Sequence, residues 1–464
     1  MRLFDTLSRE VRDLQPSDGA TFRFYCCGPT VYGPSHIGNF RSFVVQDVLR
    51  RSLEIGGLKT RHVRNITDVD DKTIRDSRAA GQSLADFTAG WTGLFHRDAA
   101  KLNCLPPHVE PRAVRHIPQQ IRMIGELLAA GHAYRSDDGS VYFRIASFPD
   151  YGRLARLDRQ ELALGRTQNQ RANADEYEKD SISDFVLWKS RRPEDGDNFW
   201  ESPWGEGRPG WHLECSAMIR QYLGESFDLH SGGVDLVFPH HENEIAQSRC
   251  ACGGEFARHW FHIAHLMVDG GKMSKSLGNL FTIADLEERG FGAPELRYVL
   301  LGGHYRKPLN FTFDSLRAAR EALARLARAE RELAAAAGAG RPPAYKELRQ
   351  TASFGVFTPA WEALNDDLNT PGALGGIFTG LRTAARGDAA TNWRGLHALL
   401  AALGLTLPEI AAVEIPEAIR ALADRRQTAR TARDWSAADR MRDELLANGW
   451  VVKDSRDGYE LEPK

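Results

Sequence analysis

Apolar residues fall into runs and spacings that divide the chain before any motif is considered. Residues 22–25 form a short aromatic run suited to a buried strand, and Gly28, Pro29, Gly33 and Pro34 then enforce a loop. From Gly38 onward Phe40, Phe43, Val44, Val48 and Leu49 recur at three- and four-residue spacings, which predicts a helix that Gly56 and Gly57 stop. Residues 61–66 read as a second strand. Strand, loop, helix and strand at this spacing predict a right-handed βαβ unit, the seed of a doubly wound parallel sheet that binds ligands at the carboxyl ends of its strands.

Between 113 and 205 the pattern changes. A helix is expected over 117–130 and a β segment over 141–145, while the polar stretch 166–181 reads as a mobile loop because it offers almost nothing to bury. Strand signals return over 227–233 and 235–238, leading into a helix that opens with HHENE, and 261–268 form a further apolar run ahead of a Gly- and Lys-containing loop, 269–279. The insertion is thus expected to split one sheet domain. Beyond 312, Leu316, Leu323, Leu326 and Leu333 share one helical face, Asn369, Thr370 and Pro371 supply capping chemistry for a later helix, and 395–407 continue in the same style. After Pro416 an Arg-rich helix gives way to an alternating hairpin pattern over 450–462. The segments are therefore 1–112, 113–205, 206–255, 256–311, 312–407 and 417–464.

Composition narrows the partners. The 464 residues are 42% hydrophobic and 26% charged, an ordinary globular balance, with 60 Lys and Arg against 62 Asp and Glu. A net charge of −2 means that any polyanion must be met by local basic patches. The N-terminus lacks an apolar leader core and no uncharged run reaches the ~18 residues of a membrane span, so a soluble, cytoplasmic protein with no membrane partner is expected. Six cysteines are too sparse for a disulfide scaffold and read as thiols or metal ligands.

Three groups of residues carry chemistry. SHIGN, 35–39, stands at the mouth of the first helix, where unpaired N–H groups favour phosphate; Gly38 would let a base approach the backbone and His36 could donate to phosphate oxygens, although a lone loop histidine is more often a capping residue. GGKMSKSLGN, 270–279, places Lys272 and Lys275 on a Gly-flanked loop that can surround a triphosphate with positive charge. Cys27, Cys215, His240 and Glu244 could form a Cys₂HisGlu site suited to zinc. Cys250 and Cys252, near His259, His262 and His265, compete with that set, although one intervening residue is tight for two structural ligands.

Together CGPTVYGPSHIGN, VRNITDVDDK, GWHLECSAM, GGVDLVFPHHENEIAQS and KMSKSLGN closely resemble the cysteinyl-tRNA synthetase family of class I aminoacyl-tRNA synthetases. The resemblance runs from residue 1 into the C-terminal unit, through DDLNTP and the residues around Asp434-Trp435, Ala438-Asp439 and Gly449-Trp450, and departs from the family at 166–181. It implies an α/β fold: a Rossmann-type doubly wound parallel sheet split by a connective insertion, then a stem-contact region, a helical bundle and a small α+β anticodon-binding unit. It assigns zinc, one ion per chain, to Cys27, Cys215, His240 and Glu244, where it would recognise the substrate thiolate. It places Thr67 and Trp211 in the cysteine pocket, Lys275 against ATP, and Asp235 and Gly38 at the nucleotide. Asn39 takes the last position of the family's HIGH signature beside the catalytic His36, Lys272 and Lys275.

The implied reaction activates L-cysteine with ATP, accompanied by Mg²⁺, and transfers cysteine to tRNA(Cys); the resembling enzyme would act as a monomer. The nearest alternative is a ligase of the same superfamily joining cysteine to an amino sugar, which needs no anticodon unit. Residues 420–456 hold nine basic against six acidic side chains, with Trp435 and Trp450 for stacking, a pattern that favours RNA over that alternative. A zinc hydrolase would leave KMSKS idle and lacks HExxH spacing, and a simple RNA-binding module explains neither the lysines nor the metal set.

Overall fold

The structure, a computed structural model, describes residues 1–157, 171–172, 183–273, 277–409, 415–455 and 458–463. By internal contacts it comprises two units, residues 1–408 and 409–464. The first is built on Thr21–Cys26 (β1), Ile37–Ile55 (α1), Lys59–Arg64 (β2), Trp211–Leu223 (α2), Leu229–Gly233 (β3), Glu242–Cys252 (α3), Trp260–Ile263 (β4), Leu266–Val268 (β5), Gly271–Lys272 (β6) and Leu309–Phe311 (β7).

The central sheet has the order β4-β3-β1-β2 and is parallel throughout, with Cys26 opposite Ser231 and Arg64, and Ser231 opposite Phe261. Parallel strands covered on both faces need apolar residues at consecutive positions, and Phe22, Phe24, Tyr25 and Cys26 are all buried. The expected β-α-β unit is present as β1-α1-β2. Helix α1 is buried almost all round, beyond what its apolar spacing conveys, because its charged residues are paired inside: Arg51 Nε donates to Asp47 Oδ2 at 2.7 Å, and Arg297 Nη2 to the same oxygen at 2.6 Å.

Between the two halves of this sheet the chain builds a second one from Ala133–Arg135, Val141–Phe143, Arg171–Ala172, Asp184–Ser190 and Gly207–Pro209. Arg171 and Ala172 pair in parallel with Asp184 and Phe185, so part of the segment expected to be a loop is strand; ladder hydrogen bonds use the backbone and need no apolar side chain. The remainder of 166–181 lies outside the described residues.

Two other expectations are corrected. Residues 235–238 do not form a strand: a 3₁₀ turn, Val234–Leu236, runs into an irregular helical segment, Val237–His241, because Pro239 cannot donate to a ladder. The apolar run 261–268 is two strands broken at Ala264 and His265, where the chain leaves the central sheet and β5 pairs instead with β7 and β6.

Beyond β7, helix Phe313–Ala336 turns Leu316, Leu323, Leu326 and Leu333 inward, and Asn369 caps Thr370–Leu381 by accepting from the Gly372 N–H at 3.0 Å. Leu326→Ala should leave a cavity in this bundle and cost about 2–5 kcal/mol in denaturant unfolding of the full chain.

Among its described residues the second unit has two helices, Glu417–Thr431 and Trp435–Ala447, where the sequence suggested one, followed by an antiparallel hairpin of Trp450–Ser455 and Gly458–Pro463. Arg433, at φ 60°, breaks the helical path and Asp434 caps the second helix by accepting from the Ala437 N–H. Trp450 packs on the small core of Ile419, Leu422, Ala423 and Leu445, so only Trp435, 59% exposed, keeps an open indole face. Among the described residues no helix is long and apolar enough to cross a membrane.

Candidate functional site

The carboxyl ends of β1, β3 and β4 open on a cleft of about 830 Å³ lined by Cys27, His36, Asn39, Asp235, Lys272 and Met273 among others. His36 is the N-cap of α1. Its Nδ1 accepts from the Asn39 N–H at 3.3 Å, while Asn39 Oδ1 accepts from the His36 N–H at 3.1 Å. That reciprocal cap leaves the neutral imidazole's proton on Nε2, as a donor. Burial pushes the imidazolium down from its usual range and the Asp235 carboxylate only partly offsets it, so the ring is neutral at pH 7. A Cβ on Gly38 would come within 3.0 Å of His36 Nδ1 and 3.1 Å of Met273 Sδ, so a side chain there would press on both the cap and the lysine hairpin.

Lys272 sits in β6, opposite Met267 of β5, and lines the cleft. Lys275 lies outside the described residues.

Beside the cleft, Cys27, Cys215, His240 and Glu244 are all buried, and one donor atom from each lies within 4.8 Å of the other three. Tetrahedral zinc with bonds of about 2.0–2.3 Å separates its ligands by roughly 3.3–3.8 Å, so two thiols, an imidazole and a carboxylate at this spacing fit that ion. His240 Nε2 lies 2.9 Å from Glu244 Oε1. Burial opposes ionisation of Cys215, yet hydrogen bonding with Cys27 and His240 brings its thiol down to about 6. A second set, Cys27, His230, His241 and Glu244, shares two members with the first. In it His230 Nε2 meets Glu244 Oε2 at 2.7 Å, and His241 Nδ1 meets His262 Nε2 at 2.7 Å, whose Nδ1 reaches Thr6 Oγ1.

The other sequence candidates surround this cluster. Trp211 opens α2 with its ring 4.5 Å from that of His240, and buried Thr67 donates to Glu214 Oε1. Asp235 lies on the turn after β3 and lines the cleft. The rival pair is not brought to a metal position: Cys250 and Cys252 end α3 half-buried, outside both donor sets found among the described residues. His262 joins the His241 chain instead, and His265 lines the cleft.

Sequence reasoning missed the polar residues that hold the candidates in place. Asn65 accepts from the Gly28 N–H at 2.8 Å and donates to Thr67 Oγ1 at 3.1 Å, joining the ends of β1 and β2. His212 Nδ1 lies 3.0 Å from His240 Nδ1. The available signal was a polar residue immediately beside a proposed ligand, as Glu214 stands beside Cys215.

Residues 13–321 match the family of class I (C) tRNA synthetase catalytic domains, and residues 412–460 match the cysteinyl-tRNA ligase anticodon binding domain. The chain is 54% identical over 470 residues to a cysteine–tRNA ligase of Opitutus terrae, covering 100% of this chain and 99% of that protein. It is 43% identical over 468 residues to one of Chlamydia caviae, covering 98% and 96%. In fold it resembles Mycobacterium tuberculosis methionyl-tRNA synthetase in complex with methionyl-adenylate, at TM-score 0.57 and 16% identity over 83% of this chain and 89% of that one. The LeuRS of Agrobacterium radiobacter is similar at TM-score 0.58 and 13% identity, over 84% of each chain. A parallel sheet with its cleft at the strand ends, two family matches along the chain and 54% identity over its full length to such a ligase place this chain in the cysteine–tRNA ligase family of class I aminoacyl-tRNA synthetases.

Proposed function

We propose that the protein activates L-cysteine with ATP and transfers it to the 3′ end of tRNA(Cys). The observation that carries this reading is the buried Cys27-Cys215-His240-Glu244 cluster beside a cleft lined by His36 and Lys272, in a chain 54% identical to a cysteine–tRNA ligase. In the first step a cysteine carboxylate oxygen bonds to the α-phosphorus of ATP and the bond to the bridging oxygen breaks, releasing pyrophosphate. In the second, the terminal ribose hydroxyl of the tRNA bonds to the acyl carbon and gives up its proton as AMP leaves.

Positioning and charge do most of the work in such a transfer. His36 Nε2–H donates to phosphate oxygens, Asn39 holds the ring by the cap described above, and Lys272 and Lys275 balance the charge of the leaving pyrophosphate, with Mg²⁺ as the nucleotide's counter-ion. Gly38 leaves room for the nucleotide and Asp235 serves its adenosine. Thr67 and Trp211 wall the cysteine pocket. Cys27, Cys215, His240 and Glu244 would hold one Zn²⁺, which when bound supplies a soft electrophilic seat for the substrate thiolate and so separates cysteine from serine by ligand chemistry rather than size. We assign 113–205 as a connective insertion, 206–255 as the zinc-bearing half of the catalytic domain, 256–311 as the lysine-loop and tRNA-stem region, and 417–464 as the anticodon reader. We take the catalyst to be a monomer.

Cysteine-dependent ATP–pyrophosphate exchange followed by charging of tRNA tests the reading, and absence of both would overturn it. Lys275→Ala should slow exchange about a hundredfold while leaving cysteine affinity within about threefold, because its charge acts on the transition state more than on bound cysteine. An unchanged exchange rate would remove Lys275 from the phosphate site. The amino-sugar ligase is not favoured, since residues 412–460 match an anticodon-binding domain.

A further inference from the structure

Arg41 lies on α1, one and a half turns beyond the His36 cap, and is 1% exposed. Among the described residues no carboxylate pairs with it. Its guanidinium instead donates to four main-chain carbonyls: Nη1 to Ala264 at 2.7 Å and His265 at 2.5 Å, Nη2 to Lys307 at 2.7 Å and His304 at 3.3 Å. Burial lowers its pKa to about 10, which still leaves it charged at pH 7. A buried cation held only by carbonyls is a costly element to keep for packing alone.

The four carbonyls are not scattered. Ala264 and His265 form the break where the chain leaves β4 for β5, and both line the cleft. The Ala264 N–H donates to the Tyr305 carbonyl at 2.8 Å and the Leu309 N–H to the His265 carbonyl at 3.1 Å, so the break and the 304–307 loop are one hydrogen-bonded piece. That piece carries the lysine hairpin: β5 pairs with β7 at Leu266 and Leu309, and with β6 at Met267 and Lys272. One side chain therefore joins the helix whose N-terminus bears His36 to the strands that bear Lys272.

We propose that Arg41 is a positioning residue for ATP, fixing the lysine hairpin relative to the His36 end of α1 through the carbonyls of Ala264, His265, His304 and Lys307. The proposal rests on the functional reading above, which puts His36 and Lys272 at the triphosphate. Cysteine is expected at Thr67 and Trp211, residues that make none of these contacts, so the effect should fall on one substrate and not the other. Lysine can keep the charge, but it lacks the planar fork that reaches two segments at once.

The test is cysteine-dependent pyrophosphate exchange by full-length Arg41→Lys, with ATP and cysteine varied separately and with zinc content and thermal unfolding measured on the same protein. The KM for ATP should rise about tenfold while that for cysteine stays within about twofold, with zinc and folding retained. An unchanged KM for ATP overturns the proposal, as does a parallel rise in both constants with loss of zinc, the mark of a merely structural residue. Should Arg41→Lys fail to fold, Tyr305→Phe decides. It removes one of that loop's bonds to the buried Asp367, the tyrosine hydroxyl's donation to Oδ1 at 2.5 Å, and leaves the Arg306–Asp367 ion pair and Arg41 in place. A rise of about threefold confined to ATP supports the proposal and no ATP-selective change overturns it. Failure of the unaltered protein to catalyse exchange would refute the functional reading, a result distinct from either variant's.

Discussion

Cys215→Ser should strip the protein of most of its zinc and lower cysteine-dependent pyrophosphate exchange by at least about a hundredfold, the loss that disturbing even a supporting hydrogen bond of a metal ligand can bring. The argument starts from burial. Cys215 is enclosed on α2 with its sulfur within 4.8 Å of donor atoms from Cys27, His240 and Glu244, so no solvent-borne ligand can replace it without repacking. Hydrogen bonding with Cys27 and His240 outweighs burial and brings the thiol down to about 6, whereas a serine hydroxyl would meet the ion protonated and as a hard donor. His240→Ala should act in the same direction. Its loss would leave Glu244 with His230 Nε2 at 2.7 Å as a remaining partner and with one ligand too few for a closed site. The control is the double Cys250→Ser, Cys252→Ser variant, expected to keep one zinc per chain and full exchange. Metal analysis that found zinc lost from the control and kept in Cys215→Ser would replace the ligand set proposed here.

Ending the chain at Pro408 should leave cysteine activation nearly intact and reduce tRNA charging by at least about a hundredfold, since removing one of two linked contacts forfeits the effective concentration it provided. The removed part owns its core, a buried apolar cluster of Ile419, Leu422, Ala423 and Leu445. It also carries the nine basic side chains of 420–456 and the open face of Trp435, 59% exposed and suited to stacking on an unpaired base. Exchange and charging measured on the same shortened protein separate the outcomes. Full charging without residues 409–464 would deny that segment its role in reading tRNA.

Which features could be read from the sequence follows from the range of the interactions behind them. The β1-α1-β2 unit was legible because Phe22, Phe24, Phe40 and Val44 mark buried positions by local spacing alone. The burial of α1 almost all round was not: Asp47, Arg50, Arg51 and Glu54 look like a wet face, and only partners such as Arg297, far along the chain, reveal that they are paired inside. Residues 235–238 carried strand-like side chains, and the proline after them decided otherwise. At the site, the same strings that named Cys27 and Cys215 left Cys250 and Cys252 in contention, because spacing along the chain does not report proximity across a sheet. Asn65, His212 and Glu214 escaped notice since single polar residues in apolar surroundings are usually solvated, and these three are buried.

The distance along the chain between the cluster's members also has a meaning in time. Cys27 precedes Glu244 by 217 residues. At about 5–20 residues per second a ribosome needs roughly ten to forty seconds to make that stretch, and once Cys27 has emerged from the ribosome its thiol waits for the residues that later enclose it. Messages broken before the codon for Glu244 would release products bearing an alkylatable cysteine that the finished enzyme conceals, a chemical tag by which incomplete copies can be counted in a cell extract.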